Sequence, residues 1–453
     1  MIHSLKEDIA IGKMHNLNPN LPKGHSKCLD TCVSKLAKGD ETGVYYVIDF
    51  GGTNVRCARC FLKGDRKLIL DSISKDARNV KIRNLPKGLM DPKATATELF
   101  NFIAEVTKEC MVKHKDMVEG KEIEDYDRIF SVGFTFSYGT RQTALNSAYC
   151  TNWAKGWETG IQTDDPVTSD KIDLAILLNQ AFNRLKIPAK TVAILNDTVG
   201  TLVAGSYTKE QYSPDAMIGL IAGTGYNMCY FDPHAHQYNY KGNVINLECG
   251  GFDGFLPNNI IDHEVDDATA PHGLQRFEKM VAGLYIPELA RRLILRVFRS
   301  KAPKLCWCHD SITTKAVFKI MEDETPDLAV VKNAVATLFE WDTNTLSLTE
   351  LNAIKQICKT VIVRSSTMIA AAIAAVASLT GRLSPASGGL TIAVDGSIYT
   401  KNKSYRDLLS AKLVDILGPN LARLIKFHIS SDGSGIGAAI LAATANKIVL
   451  RNC

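Results

Sequence analysis

Residues 47–54 read VIDFGGTN, an apolar run that ends in two glycines, a threonine and an asparagine. Together with Val44, Tyr45 and Tyr46 just before it, the apolar part predicts a short buried β-strand. Glycine has no Cβ to block an approaching group, so the amides of such a turn can point at a ligand. Taken alone, however, a strand that ends in this kind of turn is most often an ordinary hairpin.

The pattern recurs three times, at LIAGTGYN (220–227), AVDGSIY (393–399) and SSDGSGIG (430–437). Bare glycine amides, hydroxyl groups and a helix start are the groups that bind the oxygens of a polyphosphate. Four such turns, near both ends and in the middle of the chain, predict a nucleotide-phosphate site between two domains.

Two other nucleotide-binding patterns are excluded. Neither GxxxxGKS nor GxxxxGKT occurs, which excludes a P-loop enzyme. Residues 433–438, GSGIGA, satisfy the GxGxxA pattern of dinucleotide-binding proteins, but only 15 residues follow, too few for a βαβ unit with its later acidic residue. We therefore interpret this stretch as a glycine-rich helix start.

The composition is that of a globular protein. The 453 residues include 45% apolar and 22% charged residues, which excludes a disordered or fibrous chain and predicts two or three domains. The net charge of +5 is too small to indicate nucleic-acid binding. Between Arg59 and Lys93, however, ten basic and four acidic side chains give a local charge of +6, directly after the first glycine turn.

Twelve cysteines, and charges at residues 6–8 where a signal peptide would be apolar, predict a soluble cytoplasmic protein with reduced thiols. The apolar run 367–379 is too short to span a bilayer and predicts a buried helix. Helices are also predicted over 96–119 and 171–185, and in an N-terminal arm that includes Cys28 and Cys32. The cysteine spacings, including a CxxC at Cys57 and Cys60 on a predicted strand, do not favour a metal site.

Several polar residues occur within or next to apolar stretches of the sequence. Asp197 follows a predicted strand and is either a helix cap or a carboxylate that accepts a proton from an attacking hydroxyl. Lys155 stands between Trp153 and Trp157, where a surface lysine is the more common interpretation. Glu248 and Glu288 are acceptors suited to the hydroxyl pairs of a polyol.

The chain resembles the eukaryotic hexokinases of the single-unit kind over nearly its whole length. The matching motifs occur in the family's order: VIDFGGTNVR (47–56), VGFTFSY (132–138), WAKGW (153–157), LNDTVGTLV (195–203), GTGYN (223–227), DHEVDDATAPHGLQRFEKMVAGLYIPELARR (262–292), IAVDGSIY (392–399) and SDGSGIGAA (431–439). The resemblance implies an α/β, two-domain actin-like ATPase (ribonuclease H-like) fold with a cleft between a small and a large domain. The implied parts are an N-terminal helical arm packed on the large domain (1–41), a small domain (42–195, joined by a C-terminal helix at 440–453) and a large domain (196–439).

The resemblance also implies residue roles. Asp197 falls on the catalytic base, which takes the proton of the sugar 6-hydroxyl, and Lys155 falls near the transferred phosphate. The implied sugar-binding residues are Ser137, Lys155, Asn196, Asp197, Asn227, Glu248 and Glu288. The implied phosphate, Mg²⁺ and adenosine positions are Asp49, Gly51, Gly52, Thr53, Asn54, Arg56, Thr224, Asp395, Gly396, Ser397, Gly433 and Ser434. Lys81 falls near a phosphate contact, in a stretch with one extra residue.

The implied function is ATP-dependent phosphorylation of the 6-hydroxyl of glucose and related hexoses, the first step of glycolysis. ATP and Mg²⁺ are the expected cofactors, with the metal carried by ATP and linked through water to Asp49. The expected partners are the hexose and ATP, without nucleic acid or a membrane span, in a monomer or homodimer. A non-catalytic sugar sensor of the same fold and a kinase for another sugar remain as alternatives.

Three residues depart from the family pattern: Gly139 in place of Pro, Ala154 in place of Thr and Trp157 in place of Phe. Loss of proline frees a backbone dihedral, and loss of threonine removes a hydroxyl that would contact the sugar. These departures predict weaker or less discriminating sugar binding. Cys249, beside Glu248, is expected either to react with thiol reagents or to be a buried inert thiol.

Overall fold

The structure is a computed structural model of the chain that describes residues 1–51, 54–70, 81–153, 157–169 and 171–451. Its strands are β1 (Leu29–Asp30), β2 (Thr42–Phe50), β3 (Asn54–Gly64), β4 (Lys67–Leu70), β5 (Lys81–Asn84), β6 (Phe130–Phe136), β7 (Gly139–Ala144), β8 (Ser147–Asn152), β9 (Ala189–Leu195), β10 (Ala216–Ala222), β11 (Tyr226–Phe231), β12 (Val244–Asn246), β13 (Leu390–Asp395) and β14 (Ile425–Ile429). Its α-helices are α1 (Ile2–Leu17), α2 (Ala96–Lys113), α3 (Leu174–Arg184), α4 (Asp197–Thr208), α5 (Ile260–Ala268), α6 (Arg276–Val281), α7 (Ile286–Phe298), α8 (Thr314–Met321), α9 (Ala329–Phe339), α10 (Leu348–Leu379), α11 (Ser397–Lys401), α12 (Lys403–Leu417), α13 (Pro419–Ala422) and α14 (Gly433–Arg451).

Two sheets share one topology. The first sheet has the order β4-β3-β2-β6-β9, and the second contains the order β12-β11-β10-β13-β14. In each sheet three antiparallel strands are followed by two parallel ones, reached through helical crossovers. Each sheet is packed against helices around its own apolar core, so the predicted two-domain α/β architecture is confirmed.

Helices α4 and α14 form the layer between the two sheets. Helix α4 packs on β10 and β13, whereas α14 packs on β2 and β6, and the two helices contact each other. Their backbones meet at Gly200 and Gly437, where a Cβ on Gly437 would lie 2.1 Å from the Gly200 carbonyl oxygen. Glycine at this crossing therefore lets the two helices approach closely.

The N-terminal arm packs on the second sheet. Helix α1 contacts α10, and β1 pairs antiparallel with β12 at the edge of that sheet. Cys28 and Cys32 lie on either side of β1 with φ of 48° and 56°, so their predicted placement on a helix is wrong. Pro19 and Pro22 follow α1 directly, and proline disfavours continuation of a helix.

The other predicted helices and strands differ from the observed ones mainly at their ends. Helix α2 ends at Lys113 instead of residue 119, and Lys115 adopts the left-handed backbone that ends a helix. Helix α10 contains the predicted apolar run and is long and apolar enough to cross a membrane, but 78% of its most apolar window is buried inside the protein, as in a core helix. Cys57 and Cys60 belong to different apolar cores, on opposite faces of β3 as predicted.

Candidate active site

A cavity of about 320 Å³ lies between the two sheets, at the carboxyl ends of β2, β10 and β13. All four glycine turns contribute to it, since Gly51, Thr224, Gly396 and Ser434 are among its lining residues. The other predicted residues that line it are Asp49, Ser137, Asn196, Asp197, Asn227, Glu248, Asp395 and Ser397. Parallel strands bring these ends together because their loops emerge at the same edge of a sheet.

Asp197 is the first residue of α4, and its carboxylate is not the helix cap. Asn196 is the cap, since its side-chain oxygen accepts a hydrogen bond of 2.9 Å from the Thr198 amide. The Asp197 carboxylate accepts from the same amide at 2.8 Å. The positive end of the helix dipole stabilises negative charge here, so this position suits a carboxylate that receives a proton.

An amide and carboxylate network lines one wall of the cavity. The side-chain amide of Asn227 donates to Asn246 at 2.9 Å and to Glu248 at 3.3 Å, and the Asn246 amide donates to Glu248 at 2.9 Å. Because these donors hold the Glu248 carboxylate in place, it can accept hydrogen bonds from further hydroxyl groups. Asn246 is a residue that the sequence interpretation missed.

Glu288, which the resemblance assigns to the sugar site, is not among the residues that line this cavity, and its role as a sugar contact stays a prediction. Its side chain is only 5% exposed and accepts hydrogen bonds of 2.7 Å from Arg291 and from Arg292 on the same helix, α7. Burial alone would raise the pKa of Glu288, but the two arginines lower it below its ordinary value. In this structure the Glu288 carboxylate is therefore held in ion pairs outside the lining of the cavity.

Glu278, which the sequence interpretation missed, is the carboxylate that lines the cavity in this region. It lies on α6 and accepts a hydrogen bond of 2.8 Å from the Tyr226 amide. A Cβ on Gly225 would lie 2.9 Å from its carboxylate, so the glycine turn and this side chain fit closely. The available signal was the motif FEKMVAGLYIPEL (277–289), which contains both glutamates.

The segment between α5 and α6 forms another wall through Ala270, Pro271 and Gln275. Lys279 holds it: its buried ammonium donates to Asp266 at 2.6 Å, to the Thr269 carbonyl at 2.9 Å and to the Pro271 carbonyl at 2.7 Å. A buried, fully bonded lysine of this kind fixes a wall and does not need to touch a substrate.

The first and fourth glycine turns are connected across the two sheets. Arg56 on β3 pairs with Asp49 and, at 2.9 Å, with Asp432, and the Ser434 hydroxyl donates to Asp49 at 3.0 Å. Asp49 belongs to the first sheet, whereas Asp432 and Ser434 follow the last strand of the second. These contacts therefore join the first and fourth turns. Arg56 and Gly433 contact the lining residues Asp49 and Asp395 from outside the lining, and Asn54 is also outside it.

Asp395 ends β13 and faces two backbone amides. The Gly396 amide donates to it at 2.6 Å and the Gly433 amide at 3.3 Å. Burial raises the pKa of Asp395 above its ordinary value, and these two hydrogen bonds only partly oppose the shift. Gly396 has φ of 106°, and a Cβ there would lie 2.4 Å from the backbone of Ala222, so only glycine fits the turn.

Some predicted residues lie outside the described parts of the chain: Gly52, Thr53, Ala154 and Lys155, together with the side chain of Lys81. Of the other departures, Gly139 lines the cavity at the start of β7. Trp157 is buried, with its ring 5.2 Å from Phe50 and 5.4 Å from Trp153. The larger indole is thus accommodated in an aromatic core with Phe50 and Trp153.

Cys249 is a buried thiol. It is fully enclosed, and burial raises its pKa to about 12. Since the thiolate is the reactive form, the interpretation as an inert thiol is the one that the structure supports. Among the described residues, histidine, cysteine and acidic side chains form no group of three suited to holding a metal ion.

Comparisons with known proteins agree with this geometry. Two family models described as "Hexokinase" match residues 4–207 and 217–444. A hexokinase of Toxoplasma gondii is 38% identical, covering 97% of this chain and 92% of its own length, and one of Plasmodium falciparum is 36% identical, covering 98% and 87%.

Solved structures agree as well. A crystal structure of a hexokinase superposes with a TM-score of 0.85 at 33% identity, covering 98% of this chain and 94% of the other. A Schistosoma mansoni hexokinase complexed with glucose gives 0.79 at 26% identity, covering 98% and 96%. The predicted fold class is confirmed, and the chain belongs to the hexokinase family.

Proposed function

We propose that the chain is an ATP:hexose 6-phosphotransferase, which transfers the terminal phosphoryl group of ATP to the 6-hydroxyl of glucose and related hexoses at the entry to glycolysis. The observation that carries this proposal is the shared cavity, in which Asp197 and Glu248 meet four glycine turns. The family assignment and the glucose complex of the Schistosoma relative support a hexose as the acceptor.

The sugar is held by acceptors and donors that match its hydroxyl groups. Asn196, Asn227, Glu248 and Glu278 line the cavity, and a hydroxyl can donate to a carboxylate while it accepts from an amide. Asp197 takes the proton of the 6-hydroxyl as that oxygen attacks phosphorus, which makes the oxygen a better nucleophile.

The phosphates of ATP are bound by the turns at Gly51, Thr224, Gly396 and Ser434. Mg²⁺ bound with ATP supplies positive charge that offsets the charge of the transferred group. Asp49 and Asp395 are the carboxylates that would hold this ion, directly or through water, because both lie at strand ends among the turns. Alignment and charge stabilisation then supply most of the rate.

We further propose a cytoplasmic enzyme, a monomer or homodimer. The described cysteines are all free thiols, which supports a reducing compartment.

The test is a coupled assay of ADP production with ATP, Mg²⁺ and a panel of hexoses, together with calorimetric titration of the hexose. Asp197→Ala should abolish turnover, because it removes the carboxylate that takes the proton of the 6-hydroxyl, while the hexose still binds. Asp415→Ala, at an exposed carboxylate of α12, is the control and should keep normal rates. Wild-type-like turnover in Asp197→Ala would end the assignment. Hexose binding by the unaltered chain without any turnover would indicate a sugar sensor.

A further inference from the structure

The N-terminal arm places a lysine in the catalytic cavity. Lys27 lines the same cavity as Asp197, Asn227 and Glu248, although it precedes the first domain by sequence. Among the described lining residues it is the only one with a lysine or arginine side chain.

A backbone hydrogen bond joins the chain segments that carry Lys27 and Glu248. In the antiparallel pair of β1 and β12, Leu29 is opposite Asn246, and the Cys28 amide donates to the Leu247 carbonyl at 3.2 Å. Lys27 precedes Cys28 and Glu248 follows Leu247, so this hydrogen bond brings the two chain segments together at the cavity, although β1 and β12 end before these residues and Cys28 and Glu248 have left-handed backbones. Lys27 therefore belongs to the sugar end of the cavity, at the wall built from Asn227, Asn246 and Glu248.

Hydrogen bonds within the N-terminal arm fix the backbone next to Lys27. The buried Asp8 of α1 accepts hydrogen bonds from the backbone amides of His25 at 2.6 Å and Ser26 at 2.8 Å. Ser26 and Cys28, on either side of Lys27, are both buried. Helix α1 is itself tied to the second sheet by the ion pair of Lys13 with Asp232. The exposed Lys27 side chain thus projects from a fixed stretch of backbone.

The hydrogen-bonding capacities of Glu248 and Lys27 indicate what the lysine ammonium group binds. Glu248 accepts hydrogen bonds only, whereas a lysine ammonium donates only. A sugar hydroxyl between them can donate its proton to Glu248 and accept a hydrogen bond from Lys27. We propose that Lys27 is a sugar-binding residue that selects, together with Glu248, for a hydroxyl at this end of the hexose. This inference rests on the proposed function as a hexose kinase.

The experiment compares steady-state kinetics of Lys27→Met and Lys27→Arg with the unaltered chain. Lys27→Met should raise the hexose KM about tenfold, as expected for a lost charge-assisted hydrogen bond, and leave kcat and the ATP KM within about twofold. Lys27→Arg should restore most of the loss because it keeps a cationic donor. Lys23→Met removes an exposed lysine of the same segment and is the matched control, with no expected change.

A panel of deoxyhexoses distinguishes direct sugar binding by Lys27 from a merely structural role of this residue. One deoxy sugar, which lacks the contacted hydroxyl, should be phosphorylated equally well by Lys27→Met and the unaltered chain. An unchanged hexose KM in Lys27→Met, a rise in the ATP KM instead, or an equal loss for every sugar would each overturn the inference. Absence of hexose turnover in the unaltered chain would instead contradict the proposed function.

Discussion

Glu278 and Glu288 lie on consecutive helices in similar apolar surroundings, yet only Glu278 lines the cavity. Glu278 accepts a hydrogen bond from the Tyr226 amide and lines the cavity. Glu288 has arginines three and four residues later on its own helix, and such pairs meet on one helical face. The nearby arginines were the one signal in the sequence that distinguished the two carboxylates.

Paired substitutions test this distinction. Glu278→Gln should raise the hexose KM by about tenfold, because an amide replaces a charged acceptor, and leave the melting temperature nearly unchanged. Glu288→Gln should leave the hexose KM unchanged but lower the free energy of unfolding by about 3 kcal/mol, because it breaks a buried ion pair. Kinetics and urea denaturation measure the two effects. The opposite pattern would restore Glu288 to the sugar site.

The raised pKa of Asp395 predicts a pH-dependent cost to stability. Because burial disfavours the charged carboxylate, the folded state keeps its proton to a higher pH than the unfolded state does. The protonated Asp395 gives the folded state extra stability at low pH. This contribution is lost as the pH rises through the folded-state pKa. Asp395→Asn does not titrate, so its melting temperature relative to the unaltered chain should increase between pH 4.5 and pH 7.5. If the melting temperatures of Asp395→Asn and of the unaltered chain changed equally with pH across this range, the prediction would be contradicted.

At the scale of elements, the crossing of α4 and α14 positions Asp197, the residue that we propose as the base. Asp197 is the first residue of α4, and Ser434 is near the start of α14. A Cβ on Gly200 would lie 2.9 Å from the backbone of Ser434, so the two helix starts are in close contact. Displacement of either helix would move Asp197 relative to the glycine turns.

Substitution of two glycines of α14, Gly435 and Gly437, tests the crossing. In Gly437→Ala the added methyl meets the Gly200 carbonyl, and neither backbone can yield easily, so we expect a loss of about 3 kcal/mol in unfolding free energy and a lower kcat. Gly435→Ala adds the same methyl at 3.6 Å from Val47 and should be neutral or stabilising by up to about 1 kcal/mol. Thermal melts and urea titrations compare them. Equal stability of the two variants would show that the crossing tolerates a side chain.

At the scale of the whole molecule, the cavity lies between two domains and is partly open to solvent. Water is a competing acceptor for the phosphoryl group, so productive transfer favours closure of the domains once the sugar is bound. We expect glucose without nucleotide to reduce the radius of gyration measured by small-angle X-ray scattering. Asp197→Ala should show the same contraction, because the substitution removes the base but leaves most sugar contacts. An unchanged radius at saturating glucose would contradict closure.

The sequence by itself determined the strands, the four turns and the identity of the family. Those features are local: a run of apolar residues predicts a strand, and glycine and serine allow backbone conformations that other residues disfavour. The sequence also predicted that Asp197 follows a strand, because the local apolar pattern is enough to show where that strand ends. Helix ends were less accurate, as in α2, because a left-handed residue such as Lys115 stops the helix without a glycine signal.

Only the tertiary structure decided which polar side chains share the cavity. Lys27 reaches it because β1 pairs with β12, and Glu278 rather than Glu288 reaches it because α6 faces the turn at Gly225. The physical reason is that a side chain's direction depends on packing between segments far apart in the chain. Composition and local spacing do not carry that information, whereas hydrogen-bond register and helix packing do.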